Sequence, residues 1–159
     1  MTMWIMDIAS ANSHLGIPPR SAHLFVQEIV GNKVFVHSGG VFGGSVIPAA
    51  FQPVTRAVVH EVRKKSRGAA DMYVDDLHGC CRLKDMQREV EMARVIIEDL
   101  LGEGKAVNDE KTKTGQVIVF IGWEFNLLTQ KVLLARKKLM KAMLCVFSVD
   151  LEELVTLKE

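Results

Sequence analysis

Strong charge of either sign is missing from this 159-residue chain: 20 lysines and arginines face 19 aspartates and glutamates, for a formal net charge of +1. No global basic field therefore announces a nucleic-acid partner, and any such attraction must come from local patches. Cysteine is scarce, with three in all. Cys80 and Cys81 are adjacent and Cys145 is distant. The odd count argues against a disulfide framework, and no spacing suits a metal. His78 near Cys80 reads as a plain strand residue. An intracellular, reducing compartment, cytoplasm or nucleus, is the expectation. No apolar run approaches the length of a membrane span, so no membrane partner is expected. Asp7 interrupts the only N-terminal stretch that could pass for a secretory signal. Internal repeats and low-complexity segments are absent too. What is present is 48% hydrophobic and 25% charged, the composition of an ordinary globular domain with a real core.

The stretch Met72-Tyr73-Val74-Asp75-Asp76-Leu77 organises the rest. Ala69 to Val74 reads as a buried strand and Leu77 to Leu83 as a second, with a tight turn where the apolar pattern breaks at Asp75-Asp76. Adjacent carboxylates at a hairpin tip repel, and either solvent or a divalent cation must offset that. Mg²⁺ takes oxygen ligands, often one or two carboxylates plus substrate phosphates. A third carboxylate, Asp7, ends the apolar run Met1–Met6. If the two strands pair, three carboxylates meet at one sheet edge, the minimum for a two-metal site.

Along the chain, residues 3–8 read as a strand and 12–17 as a short irregular or helical turn closed by Pro18-Pro19. Ala22–Val30 and Lys33–His37 flank a Gly31-Asn32 turn signal, a hairpin pattern. Glycines between 39 and 44 mark either a flexible connection or a backbone held close to a nucleotide. Pro48 opens a helix to about Ser66, in which Pro53 predicts a kink or a late start. Arg63-Lys64-Lys65 and Arg67 at its end read as dipole compensation rather than phosphate contacts. Met86, Val90, Ala93, Ile97 and Leu100 mark a second amphipathic helix, stopped by Gly102 and Gly104. Lys105–Gly115 reads as a charged loop and Val117–Ile121 as a fourth core strand. A closing hairpin over 124–134 follows, then helices over 136–147 and 151–157. Without the inserted hairpin the order is β-α-β-β-α-β. That predicts an α+β fold, a split βαβ ferredoxin-like antiparallel sheet with helices on one face and the other face free for a ligand.

Five segments, in order, resemble the motifs of reverse transcriptases. Asp7-Ile8-Ala9-Ser10-Ala11 resembles motif A, Phe42-Gly43-Gly44-Ser45 through Pro48 to Phe51 motif B, and Tyr73-Val74-Asp75-Asp76 motif C. Asn108-Asp109-Glu110-Lys111-Thr112 resembles motif D and Phe120-Ile121-Gly122-Trp123 motif E. The flavour is that of a retrotransposon enzyme of the DIRS-like type. The resemblance implies a polymerase palm over 1–134 and the start of a thumb over 135–159, with the fingers and most of the thumb belonging to a larger parent. It implies two-metal transfer of a nucleotide from a dNTP to a primer 3′-hydroxyl on an RNA or DNA template. The cofactor would be two Mg²⁺ ions, with Mn²⁺ as a substitute.

By that resemblance Asp7 and Asp75 are the metal ligands and Asp76 a supporting carboxylate. Lys111 protonates or holds the leaving pyrophosphate; the plainer reading is a solvated lysine in a charged loop. Gly122 and Trp123 begin the primer grip, or Trp123 fills core. Phe42 and Gly43 touch the nascent base pair. Tyr73 contacts the primer or is a core aromatic. Asn12 stands where the family has an aromatic wall under the sugar, which leaves room for a 2′-hydroxyl. Val41 and Gly16 stand where the family has proline. These departures keep a second reading open: a catalytically inert remnant that binds nucleic acid or metal. A third, another two-metal palm enzyme such as a nucleotide cyclase, is opposed by the primer-grip-like segment and the Pro-x-x-Phe helix start.

Overall fold

The computed structural model describes residues 1–29, 33–41, 46–102, 104 and 106–148. The chain divides into two compact units, Met1–Thr114 and Gly115–Glu159.

The first unit begins with β1 (Thr2–Ile8), every residue of which is buried. A 3₁₀ turn over Ala11–His14 and another over Pro19–Leu24 lead to the small hairpin β2 (Val26–Ile29) and β3 (Lys33–Val36). The strand expected from Ala22 starts only at Val26. Pro18 and Pro19 preset a tight turn, in which Ser21 N–H donates to Pro18 O and Phe25 N–H to Ala22 O. The Gly31-Asn32 turn signal falls outside the described residues.

Next, α1 (Ile47–Lys65) continues through Pro53 without a late start. The carbonyl that Pro53 leaves without its helical partner belongs to Ala49, an exposed residue where solvent can serve it. The hairpin β4 (Ala69–Tyr73) and β5 (Asp76–Cys81) comes after it, then α2 (Met86–Leu101), closed at Gly102 with φ +113°. The last strand is β6 (Val107–Gly115), where the sequence suggests a loop. It is polar because it lies at a sheet edge: apart from half-buried Val107, Asn108, Thr112 and Gly115, its side chains are exposed. An edge strand with so little to bury shows no apolar alternation.

The sheet order is β4-β5-β1-β6, the expected split βαβ arrangement, with β6 in the place assigned to Val117–Ile121. β1 pairs antiparallel with β5 from Thr2↔Cys81 to Asp7↔Asp76. Trp4, Met6 and Ile8 on one face of β1 pack with Phe51, Val58 and Val62 of α1 and Ala93, Ile96 and Ile97 of α2. Gly79 faces Trp4 across the ladder, and a Cβ there would lie 2.5 Å from the indole ring. On the opposite face, expected to be open, Met3, Ile5 and Asp7 are buried as well. β4 is not the buried strand the sequence suggests: it is an edge strand, with only Ala70 fully buried. Its root is tied by Glu89 of α2, a fully buried carboxylate that accepts from Ser66 Oγ and the Arg67 N–H and pairs with Arg88. A buried carboxylate needs such partners, or its charge would be expelled.

The second unit is a three-stranded antiparallel sheet, β7 (Val117–Phe120), β8 (Trp123–Asn126) and β9 (Lys131–Leu134), followed by α3 (Arg136–Ser148). The helix expected over 151–157 lies outside the described residues. Among the described residues no helix is long and apolar enough to cross a membrane.

Candidate active site

The β4–β5 hairpin closes in two residues, since Tyr73 and Asp76 are register partners. Its turn is Val74-Asp75, and Val74 has φ +56°. Such short hairpins demand a positive φ, which glycine supplies freely and a β-branched residue only under strain. The strained turn delivers Asp76 to the start of β5, directly opposite Asp7 at the end of β1. The Ile8 N–H donates to the Asp75 carbonyl at 2.9 Å, which pins the tip of the hairpin to the end of β1. Asp7, Asp75 and Asp76 thus share one end of the two central strands, rather than lying along an edge strand.

Lys111 joins them from β6. Its Nζ lies 3.0 and 3.1 Å from the two carboxylate oxygens of Asp7. Asp7 is nearly buried, while the lysine side chain is 62% exposed. The hydrogen bond to Asp7, helped by the charges of Asp75 and Asp76, holds the Lys111 ammonium above its ordinary pKa. Burial raises the Asp76 carboxyl above its usual range; the charges of Asp75 and Asp7 push it further, and Lys111 and His78 oppose them. On β6, Asp109 pairs with Arg94 of α2 and Thr112 Oγ1 donates to Asn108 O, which fixes the segment that carries Lys111.

The remaining sequence-derived positions fall in several places. Asn12 is half-buried in the 3₁₀ turn after β1. Gly39 and Gly40 pack on that turn: a Cβ at Gly40 would meet Asn12 O at 2.6 Å, and one at Gly39 would meet Ser13 O at 2.7 Å. These glycines therefore serve close backbone approach within the protein itself. Tyr73 is exposed on the edge strand and is not a core aromatic. Phe42 and Gly43 lie outside the described residues. Gly122 and Trp123 belong to the second unit, where Ile121 (φ +50°) and Gly122 (φ +83°) form the β7–β8 turn. Trp123 is half-exposed and does not fill core. A cavity beside the hairpin tip is lined by Pro48, Phe51, Gln52, Thr55, Met72 and Val74. Three supports escaped sequence reasoning: His14, whose Nε2 lies 3.0 Å from Ala9 O; Glu89; and Gly79. Only Gly79 carried a signal, a glycine inside a strand pattern.

Among the described residues no three His, Cys, Asp or Glu side chains converge as a ready metal cage. The donor set still fits magnesium in kind. It is all carboxylate oxygen, and Mg²⁺ binds through one or two carboxylates while substrate phosphates and water complete its shell.

The fold has a counterpart among solved structures. A foamy viral protease-reverse transcriptase, solved in complex with an RNA/DNA hybrid, superposes with a TM-score of 0.66 at 18% identity, over 86% of this chain. The fold matches part of that reverse transcriptase structure. The chain spans 17% of the length of that protein. The sequence matches no protein-family model and no curated protein.

Proposed function

We propose that this chain is the palm of an RNA-directed DNA polymerase from a retroelement, of the DIRS-like kind, with the palm over residues 1–134 and the thumb beginning at 135. The observation that carries the reading is the register Asp7↔Asp76, which brings the motif A and motif C carboxylates to one end of the central strands beside Lys111. Asp7 and Asp75 would hold magnesium, with Asp76 in support. When bound, the metal lowers the pKa of the primer 3′-hydroxyl and offsets the charge of the dNTP triphosphate. Lys111, paired with Asp7, would hold or protonate the leaving pyrophosphate. Exposed Tyr73 beside the hairpin tip would meet the primer strand. Gly122 and Trp123 would grip it, and Asn12, Phe42 and Gly43 would face the incoming nucleotide. Template, primer and dNTP are the partners, and the setting is intracellular.

The competing reading is an inert remnant that binds nucleic acid or metal without turnover. The departures from the family pattern at Asn12, Gly16 and Val41 favour it. Primer extension with Mg²⁺ separates the two. Residues 1–159 alone should extend poorly, because positioning supplies much of the rate of phosphoryl transfer. A parent enzyme carrying this palm should extend, and Asp75→Asn should remove turnover while leaving primer-template binding largely intact, since binding is mostly backbone electrostatics. A folded parent with no metal-dependent extension would refute the polymerase and leave the remnant.

A further inference from the structure

The ammonium of Lys111 holds both oxygens of Asp7, at 3.0 and 3.1 Å. Asp7 is buried to 10% side-chain exposure, so its carboxylate has little room for a second cation while the amine is in place. A divalent ion needs direct access to carboxylate lone pairs. A divalent ion on these oxygens would sit against the ammonium, and repulsion between the two cations drives Lys111 off. The lysine can leave at little cost, since its side chain is 62% exposed and its head can be rehydrated. The charges facing this point are Asp75 and Asp76 on the hairpin and His78 on β5, and Lys111 is the cation common to the three carboxylates.

We infer that Lys111 is the resident counter-cation of this site and exchanges with a divalent ion: the amine occupies Asp7 in the metal-free protein and is released when the ion enters. This deepens the metal reading proposed above and rests on it. The exchange accounts for how three carboxylates share one end of the strands: the Lys111 ammonium, paired with Asp7 and near Asp75 and Asp76, offsets part of their repulsion. Release then frees a cationic side chain beside the site only after loading, which couples the lysine's availability to the presence of the ion.

Two measurements on the full 159-residue chain test this. The first is Mn²⁺ affinity, by electron paramagnetic resonance, for the parent sequence, Lys111→Met and Asp7→Asn. Lys111→Met keeps most of the unbranched stem and removes the charge, so it should bind Mn²⁺ about tenfold more tightly, within the ~5–150-fold range of coupled sites. Asp7→Asn should abolish the tight site. The second is a Mg²⁺ titration of the unmutated chain, followed by NMR of the Lys111 side chain labelled at Cε. Reciprocity requires the ion to shift Lys111 from the paired to the free environment. This measurement stands even if Lys111→Met fails to fold. Equal or weaker binding by a folded Lys111→Met, or an Mg²⁺-saturated chain in which Lys111 is unmoved, would overturn the exchange and leave the metal site standing. Mn²⁺ binding that is absent, or indifferent to Asp7→Asn, would overturn the metal reading itself.

Discussion

Two hairpins in this chain close with two-residue turns, and each places a β-branched residue at positive φ: Val74 between β4 and β5, Ile121 between β7 and β8. The turns differ in their second residue. After Ile121 comes Gly122 at φ +83°, so the second turn has the all-positive pattern of a type I′ hairpin with its glycine in place. After Val74 comes Asp75, and no glycine relieves the turn. The second hairpin is tethered at its turn by the Ala135 N–H to Gly122 O bond, whereas the first is pinned by Ile8 N–H to Asp75 O and opposes Asp76 to Asp7. One turn meets local backbone preference at its glycine. The other is held against it by its neighbours, and it is the one that carries the carboxylates.

The largest separation between the two should come from their glycines. Gly79→Ala would push a Cβ to 2.5 Å from the Trp4 ring and 2.7 Å from the Ala69 carbonyl. It should cost about 3 kcal/mol, the upper end for overpacking. Gly122→Ala meets only the flexible Lys138 side chain and should cost about 1–2 kcal/mol, from its positive φ. Urea melts of the two variants give the ranking directly. Equal losses would mean that both hairpins are set by turn strain alone.

Relieving the strained residues comes next in size. Val74 and Ile121 are 52% and 48% exposed, so little burial is lost by replacing them. Val74→Gly should stabilise by about 0.5–1 kcal/mol, the left-handed penalty less glycine's entropy. Ile121→Asn, which creates an Asn-Gly turn, should stabilise by about 1 kcal/mol. Thermal melts of both variants check this. A loss of stability in Val74→Gly alone would show that the Val74 side chain contributes packing at the tip.

The smallest effect concerns charge, which the Ile121-Gly122 turn lacks. The folded chain holds the Asp76 proton more tightly than the unfolded chain, because burial and the neighbouring carboxylates raise its pKa. The contribution of Asp76 is therefore fully present below the unfolded-state pKa and is lost as pH rises through the raised folded value. In chelator-treated protein, Asp76→Asn should melt higher than the parent sequence at pH 7, and the gap should close as pH falls below the ordinary carboxylate range. A gap that widens on acidification would reverse the sign of the site's electrostatics.

These residues also show what could be read in advance. The β4–β5 hairpin was legible because Asp75-Asp76 interrupts an apolar run, and α1 and α2 were legible from their helical spacing. β6 was not, since an edge strand with exposed Glu110, Lys111 and Lys113 carries a loop's composition. Lys111 stood out through its likeness to a motif, but its grip on Asp7 joins residues far apart in the chain and leaves no local trace. Glu89 looks like any acid in a first helical turn. Only the fold shows it buried under the root of β4.

The register of β1 on β5 has a kinetic meaning. Thr2 pairs with Cys81 and Asp7 with Asp76, contacts roughly seventy residues or more apart along the chain. The β4–β5 hairpin closes over two residues and can form early. β1 must wait for a long loop to close, and its arrival brings a third carboxylate beside two already in place. The entropic and the electrostatic costs of folding thus fall on the same late step, and β6, whose Lys111 reaches Asp7 across 104 positions, closes over a longer loop still.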